Sequence, residues 1–249
     1  MTKALQDKVA LITGGVKRVG AAIARQLHAE GMKLALHYRH SEQEAHDIQA
    51  ELNKQRPDSV ILLQADLGQV AKLNSMVHQV IESFGQLDVL VNNASSFYPT
   101  PVGKIEERDW DELMGSNLKA PLFLSQAAAP YLIKSEGCIV NLADIHADRP
   151  LKKHAVYCCA KAGLVMLTKS LGRDLGPHVR VNAVAPGAIL WPENDTMDEV
   201  TKQRIISQIA LKRHGNREDI AKTVLFLIRD AGYITGQVIP VDGGRSLGQ

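Results

Sequence analysis

KVALITGGVKRVG (residues 8–20) runs from an apolar stretch straight into a glycine turn. The Val- and Ile-rich half lacks polar alternation, so it reads as a strand covered on both faces. Gly14, Gly15 and Gly20 permit a tight turn and close packing of the helix that follows. A helix start offers unpaired N–H groups and a positive dipole end to a diphosphate. The stretch therefore predicts the first unit of a nucleotide-binding α/β fold. It also carries Arg18 where the commonest turns of this type place glycine.

The same rhythm continues along the chain. Val19, Ile23 and Leu27 recur every four residues, and Gly31 marks a helix stop. Strands are predicted at 32–38, 59–66, 87–95, 137–144, 179–187 and 235–244. Helices are predicted at 41–53, 70–85, 109–134, 155–176, 197–210 and 218–229. Ser41 and Glu44 have capping-box spacing at the start of the first of these. Pro121 and Pro130 mark kinks or boundaries within 109–134. About seven strands alternating with helices predict a Rossmann-like, doubly wound parallel sheet. Right-handed crossovers put helices on both of its faces. The whole chain, 1–249, suits one such domain.

Composition narrows the function. A net charge of +2 with scattered Lys and Arg and 4% aromatics gives no basic, aromatic-laced stripe for nucleic acid. The longest apolar runs, such as VLFLI (224–228), fall far short of the ~20 residues of a membrane span. The first strand follows MTKALQDK too soon for a signal peptide. Cys138, Cys158 and Cys159 suggest no disulfide framework, and a reducing cytoplasm is the expected compartment. The nine histidines show no metal-ligand spacing, so no metal is expected.

In doubly wound sheets the ligand lies beyond the C-terminal strand ends. Residues 13–20, 38–41, 66–67, 92–98, 144 and 186–193 converge there. An NAD site places a carboxylate after the second strand. This chain has Tyr38-Arg39-His40-Ser41 instead. Arg39 can fork onto a phosphate, Ser41 can donate from a helix start, and Arg18 lies near the same groove. Positive charge without the carboxylate favours the 2′-phosphate of NADP, unless Arg39 and His40 simply face solvent. Asp66 can accept from an adenine amino group or cap a turn. Tyr157 and Lys161 are four apart on one helix and share a face. The ammonium is expected to lower the phenol pKa, the pair can deliver a proton to a substrate that has received hydride, and Lys161 can also hold a ribose hydroxyl of the cofactor.

With these residues in place, the sequence resembles the short-chain dehydrogenase/reductase family over essentially its whole length. TGGVKRVG (13–20), Asp66-Leu67, NNAS (92–95), Asn117, NLAD (141–144), YCCAK (157–161) and Pro186-Gly187 carry the match. The resemblance implies cofactor contacts from Thr13, Gly14, Lys17, Arg18, Val19, Asn93, Ala94, Ser95, Pro186 and Gly187. It also implies a water held by Asn117 in the proton path, and a homotetramer. Arg18 replaces a usual family glycine, and Asp144 stands where the family's catalytic serine would be. These departures, with HYRHS (37–41) and NNASSFYPTP (92–101), resemble the bacterial pteridine reductases. That subgroup implies substrate contacts from Arg18, Ser95, Phe97, Asp144 and Tyr157. HYRHS reverses the usual order of His and Arg. A substrate loop is expected at about 187–210. Its Trp191 could cover the substrate ring, or anchor the loop or a subunit contact.

The chemistry suits the departures. An ionised Asp144 would repel the oxyanion formed when a ketone is reduced. A pterin C=N bond instead needs a proton on nitrogen, which a carboxylate can hold or relay with Tyr157. The bland alternative is that Asp144 caps a turn. Phe97 can stack on the flat ring with nicotinamide on the other face. The expected activity is NADPH-dependent reduction of dihydrobiopterin or dihydromonapterin, extending to dihydrofolate. The runner-up is a generic carbonyl or 3-ketoacyl-thioester reductase. The third reading is a non-catalytic NADP-binding partner.

Overall fold

The opening apolar run alternates between two interiors. In the computed structural model, which describes residues 5–189 and 198–248, Ala10 and Ile12 pack into one apolar cluster and Val9 and Leu11 into another. All four are fully buried. A strand with no exposed face has no position for a polar side chain, and each large side chain it buries contributes about 1.5–3 kcal/mol.

The strands are β1 (Val9–Ile12), β2 (Lys33–Tyr38), β3 (Val60–Gln64), β4 (Val89–Asn92), β5 (Cys138–Leu142), β6 (Arg180–Pro186) and β7 (Val238–Val241). They form one seven-stranded sheet in the order β3-β2-β1-β4-β5-β6-β7, with every neighbouring pair parallel. The helices are α1 (Arg18–Ala29), α2 (Glu42–Gln55), α3 (Val70–Phe84), α4 (Glu107–Met114), α5 (Ala120–Ser135), α6 (Ala155–Asp174), α7 (Glu199–Ser207) and α8 (Arg217–Arg229). One cluster joins α1, α2 and α8 to the sheet, and the other joins α3 and α5. The expected Rossmann-like architecture is observed. Chain order reverses between β1 and β4, so the connections leaving their C-terminal ends diverge and leave a crevice.

Two local expectations need correction. The helix expected over 109–134 is broken by a π-helical turn at Gly115–Lys119, between α4 and α5. Pro121, in the first turn of α5, has no N–H to return to the preceding turn. The buried Asn117 side chain, within the π turn, donates to Leu113 O at 2.9 Å. Ser41 makes no capping-box bond at α2, because the Glu44 carboxylate is taken up in an ion pair with Lys17. Among the described residues no helix is long and apolar enough to cross a membrane. The three cysteines are unpaired.

Candidate active site

A cavity of about 1310 Å³ opens at the C-terminal strand ends. The glycine turn forms one wall. Gly14 has φ +59°, a conformation that suits glycine. A Cβ on Gly20 would lie 2.0 Å from Gly14 O, so α1 approaches the turn as closely as backbone allows. Neither a side-chain cap nor an acidic residue occupies the first turn of α1. Its donors and dipole therefore remain available to an anion, which fits a dinucleotide diphosphate.

Arg18 opens this helix with φ +50°. Glycine would adopt that angle without strain, whereas a side chain there costs of order 1–3 kcal/mol. Among the described residues the exposed guanidinium makes no hydrogen bond or ion pair, and it lines the cavity. Such an uncompensated feature points to a ligand.

His37 holds the turn from below, a role that the sequence reading missed. Gly14 N–H donates to its Nδ1 at 3.1 Å, and its Nε2–H donates to Ala65 O at 3.1 Å. This pairing requires the neutral ring, and burial pushes its pKa below the ordinary value. Strand alternation carries the signal: His37 and Arg39 share a face, and Tyr38 takes the other.

Most of the expected cofactor residues line the cavity. Lys17, Val19, Asn93, Ala94, Pro186 and Gly187 do so beside the turn, and Asp66 and Leu67 after β3. Arg39 also faces it, but pairs with Asp66 at 3.2 Å. Asp66 additionally accepts from Gly68 N–H at 2.9 Å, as a turn cap. The ion pair is half exposed and so contributes less than about 1 kcal/mol, leaving Arg39 able to turn to a phosphate.

Other expected residues lie elsewhere. Tyr38 is 7% exposed, belongs to the core cluster shared with α1, α2 and α8, and does not line the cavity. Thr13 is buried, and its Oγ1 accepts from Asn93 N–H at 2.9 Å and Ala94 N–H at 3.0 Å. It straps β1 to β4 rather than facing a ligand. His40 and Ser41 do not line the cavity. Trp191 lies outside the described residues.

The reacting end is built from β5 and α6. Asp144 follows β5, and its Oδ1 accepts from His146 N–H at 2.8 Å. Tyr157 Oη donates to Asp144 Oδ2 at 2.7 Å. Lys161, one turn further along α6, is 2% exposed and donates from Nζ to Leu142 O at 2.7 Å. Burial pushes its pKa down to about 8, with Asp144 acting in the opposite direction. The Tyr157 pKa moves opposite to expectation. Burial and then the neighbouring Asp144 carboxylate hold it well above the usual phenol range. The Lys161 ammonium is 5.8 Å from the Tyr157 ring centroid and does not reverse that balance. In this arrangement Tyr157 is a protonated donor, and Asp144 is more than a turn cap.

Ser95 and Phe97 come from the loop after β4, and both line the cavity. Ser95 Oγ donates to Asn117 Oδ1 at 2.6 Å, and Asn117 Nδ2 donates to Ser96 O at 2.9 Å. Asn117 is fully buried and does not line the cavity. It therefore fixes the loop that presents Phe97. No cluster of potential metal ligands occurs among the described residues.

The chain belongs to the short-chain dehydrogenase/reductase family and is an oxidoreductase of that family. The family model described as enoyl-(acyl carrier protein) reductase matches residues 15–246. The 3-oxoacyl-[acyl-carrier-protein] reductase FabG of Staphylococcus aureus (strain Mu50) is 38% identical over 240 residues, covering 95% of this chain and 97% of its own. Pteridine reductase 1 of Leishmania tarentolae is 36% identical over 288 aligned positions, covering 99% of each chain. FabG of Thermotoga maritima is 34% identical over 254 positions, covering 96% of this chain and 98% of its own.

Proposed function

We propose that this protein is an NADPH-dependent pteridine reductase acting on the C=N bond of a dihydropterin such as dihydrobiopterin or dihydromonapterin, and also on dihydrofolate. The observation that carries this reading is the 2.7 Å hydrogen bond from Tyr157 to Asp144. A carbonyl substrate needs donors around its developing oxyanion, and a carboxylate there opposes the charge. A ring nitrogen needs a proton, and becomes basic enough on reduction to draw it even from a phenol of raised pKa.

NADPH supplies the hydride. The chain supplies the rest. The α1 N-terminus, Arg18 and Arg39 hold phosphate, with Arg39 re-aimed from Asp66 to the 2′-phosphate. Phe97 supports the flat ring, and Arg18 reaches one of its heteroatoms. Tyr157 Oη passes its proton to the ring nitrogen. Asp144, already bonded to that hydroxyl and lining the open cavity, relays the replacement proton from solvent to the phenolate. The buried Lys161 ammonium offsets the negative charge left on the phenol oxygen. Exposed Met166 on α6 supports self-association, and a homotetramer belongs to this reading.

The second reading, a 3-oxoacyl-thioester reductase, draws support from the 38%-identical relative. Against it stands the carboxylate at 144, which opposes the charge of a developing oxyanion. NADPH oxidation measured in parallel with dihydrobiopterin, dihydromonapterin, dihydrofolate and acetoacetyl thioester separates the readings. The proposal expects turnover of a dihydropterin. Activity on the thioester alone would overturn it, and no turnover at all with tight NADPH binding would favour a nucleotide-binding partner.

A further inference from the structure

Phe97 does not stand free in the cavity. His154 lies flat against its ring, with centroids 4.8 Å apart and planes 12° apart. Tyr157 meets the same ring edge-on at 4.8 Å and 78°. His154 caps α6 and Tyr157 lies in its first turn, so both contacts come from the helix end that carries the proton donor. The segment bearing Phe97 is also laced to the segment entering α6. Thr100 N–H donates to Lys153 O at 2.6 Å, and Thr100 and His154 form a parallel bridge. His154 Nδ1 lies 2.9 Å from Lys152 O, which restricts rotation of the ring.

These contacts solve a problem that an exposed aromatic shelf creates. Phe97 is 55% exposed, and an unsupported side chain there would sample several rotamers. A ring that must receive a flat substrate gains affinity when its plane is set beforehand. The stacked His154 ring covers one face, and the rest of Phe97 lines the cavity.

We propose that His154 is a positioning residue that sets the plane of Phe97, and through it the placement of the substrate ring against Tyr157 Oη. The inference rests on the pteridine reading above.

His154→Leu removes the ring and keeps apolar bulk, whereas His154→Phe keeps a ring. Both lose the bond to Lys152, so the difference between them isolates stacking. His154→Leu should raise KM for a dihydropterin about three- to tenfold. His154→Phe should restore it. The Kd of NADPH should stay unchanged in both and reports that the site is folded. If His154→Leu loses NADPH binding, His154→Gln removes the ring with a polar side chain instead. In a Phe97→Leu background the loss of the His154 ring should add nothing. An unchanged KM, an equal rise in the Leu and Phe variants, or an additive effect in the Phe97→Leu background overturns the inference. An effect of Phe97→Leu without one of His154→Leu overturns it while leaving the pteridine reading intact. No turnover of a dihydropterin by the wild type overturns both.

Discussion

Arg18 shows how a side chain can sit where local geometry asks for glycine. Its φ of +50° costs conformational energy, and no partner among the described residues repays it. Arg18→Gly should therefore raise stability by about 1 kcal/mol in urea denaturation, while raising KM for the dihydropterin. A fall in stability would remove the strain argument. Lys161 makes the second residue-scale case. Its ordinary pKa of 10.5 falls to about 8 through burial. Across that window the unfolded chain holds a proton that the native protein lacks, so Lys161 makes stability rise with pH. Nucleotide affinity should move the other way, falling as pH rises through about 8 and the ammonium is lost. A calorimetric NADPH titration from pH 7 to 9.5 checks this, and a flat profile would contradict it. The Tyr157–Lys161 spacing was legible as one helix face. The direction of the Tyr157 pKa was not, because burial and Asp144, thirteen residues away, decide it.

At the scale of elements, α6 must hold Tyr157 in register with Asp144 after β5. A buried bond does this: Asn141 Nδ2 on β5 donates to Thr168 Oγ1 on α6 at 2.9 Å. Asn141 Oδ1 in turn accepts from Asn92 on β4 at 2.8 Å. Thr168→Val leaves a buried donor unsatisfied, at about 1–3 kcal/mol. It should lower kcat more than it raises KM; the reverse pattern would show that the bond serves substrate binding alone. The glycine turn depends similarly on β2 through His37. Its native pKa lies below 6.5, so between the two values the unfolded chain takes up a proton that the native ring refuses. Stability should fall as pH drops below about 6.5, and more steeply than in His37→Leu. Equal slopes in urea melts at pH 7.5 and 5.5 would exclude the histidine. Element order was readable from apolar runs and glycine stops because those are local signals. The π-helical turn at Gly115–Lys119 was not, since it accommodates a buried Asn117 whose bonds reach across to the β4 loop.

For the whole molecule, the parallel order of seven strands places the turn after β1, the loop after β4 and the Asp-Tyr-Lys group around one cavity. The sequence foretold that convergence, since each strand ends in polar or glycine residues. It could not foretell which of them would be structural straps, as Thr13 and Asn117 are, because that depends on contacts between distant segments. In the proposed function, the carboxylate at 144 selects a C=N bond over a carbonyl. The most direct test compares wild type and Asp144→Ser for kcat/KM on a dihydropterin and on acetoacetyl thioester, with NADPH Kd measured alongside. Asp144→Ser should lose about 10²-fold or more on the dihydropterin, gain on the thioester and keep its NADPH Kd unchanged. Undiminished or improved dihydropterin turnover in Asp144→Ser would contradict it.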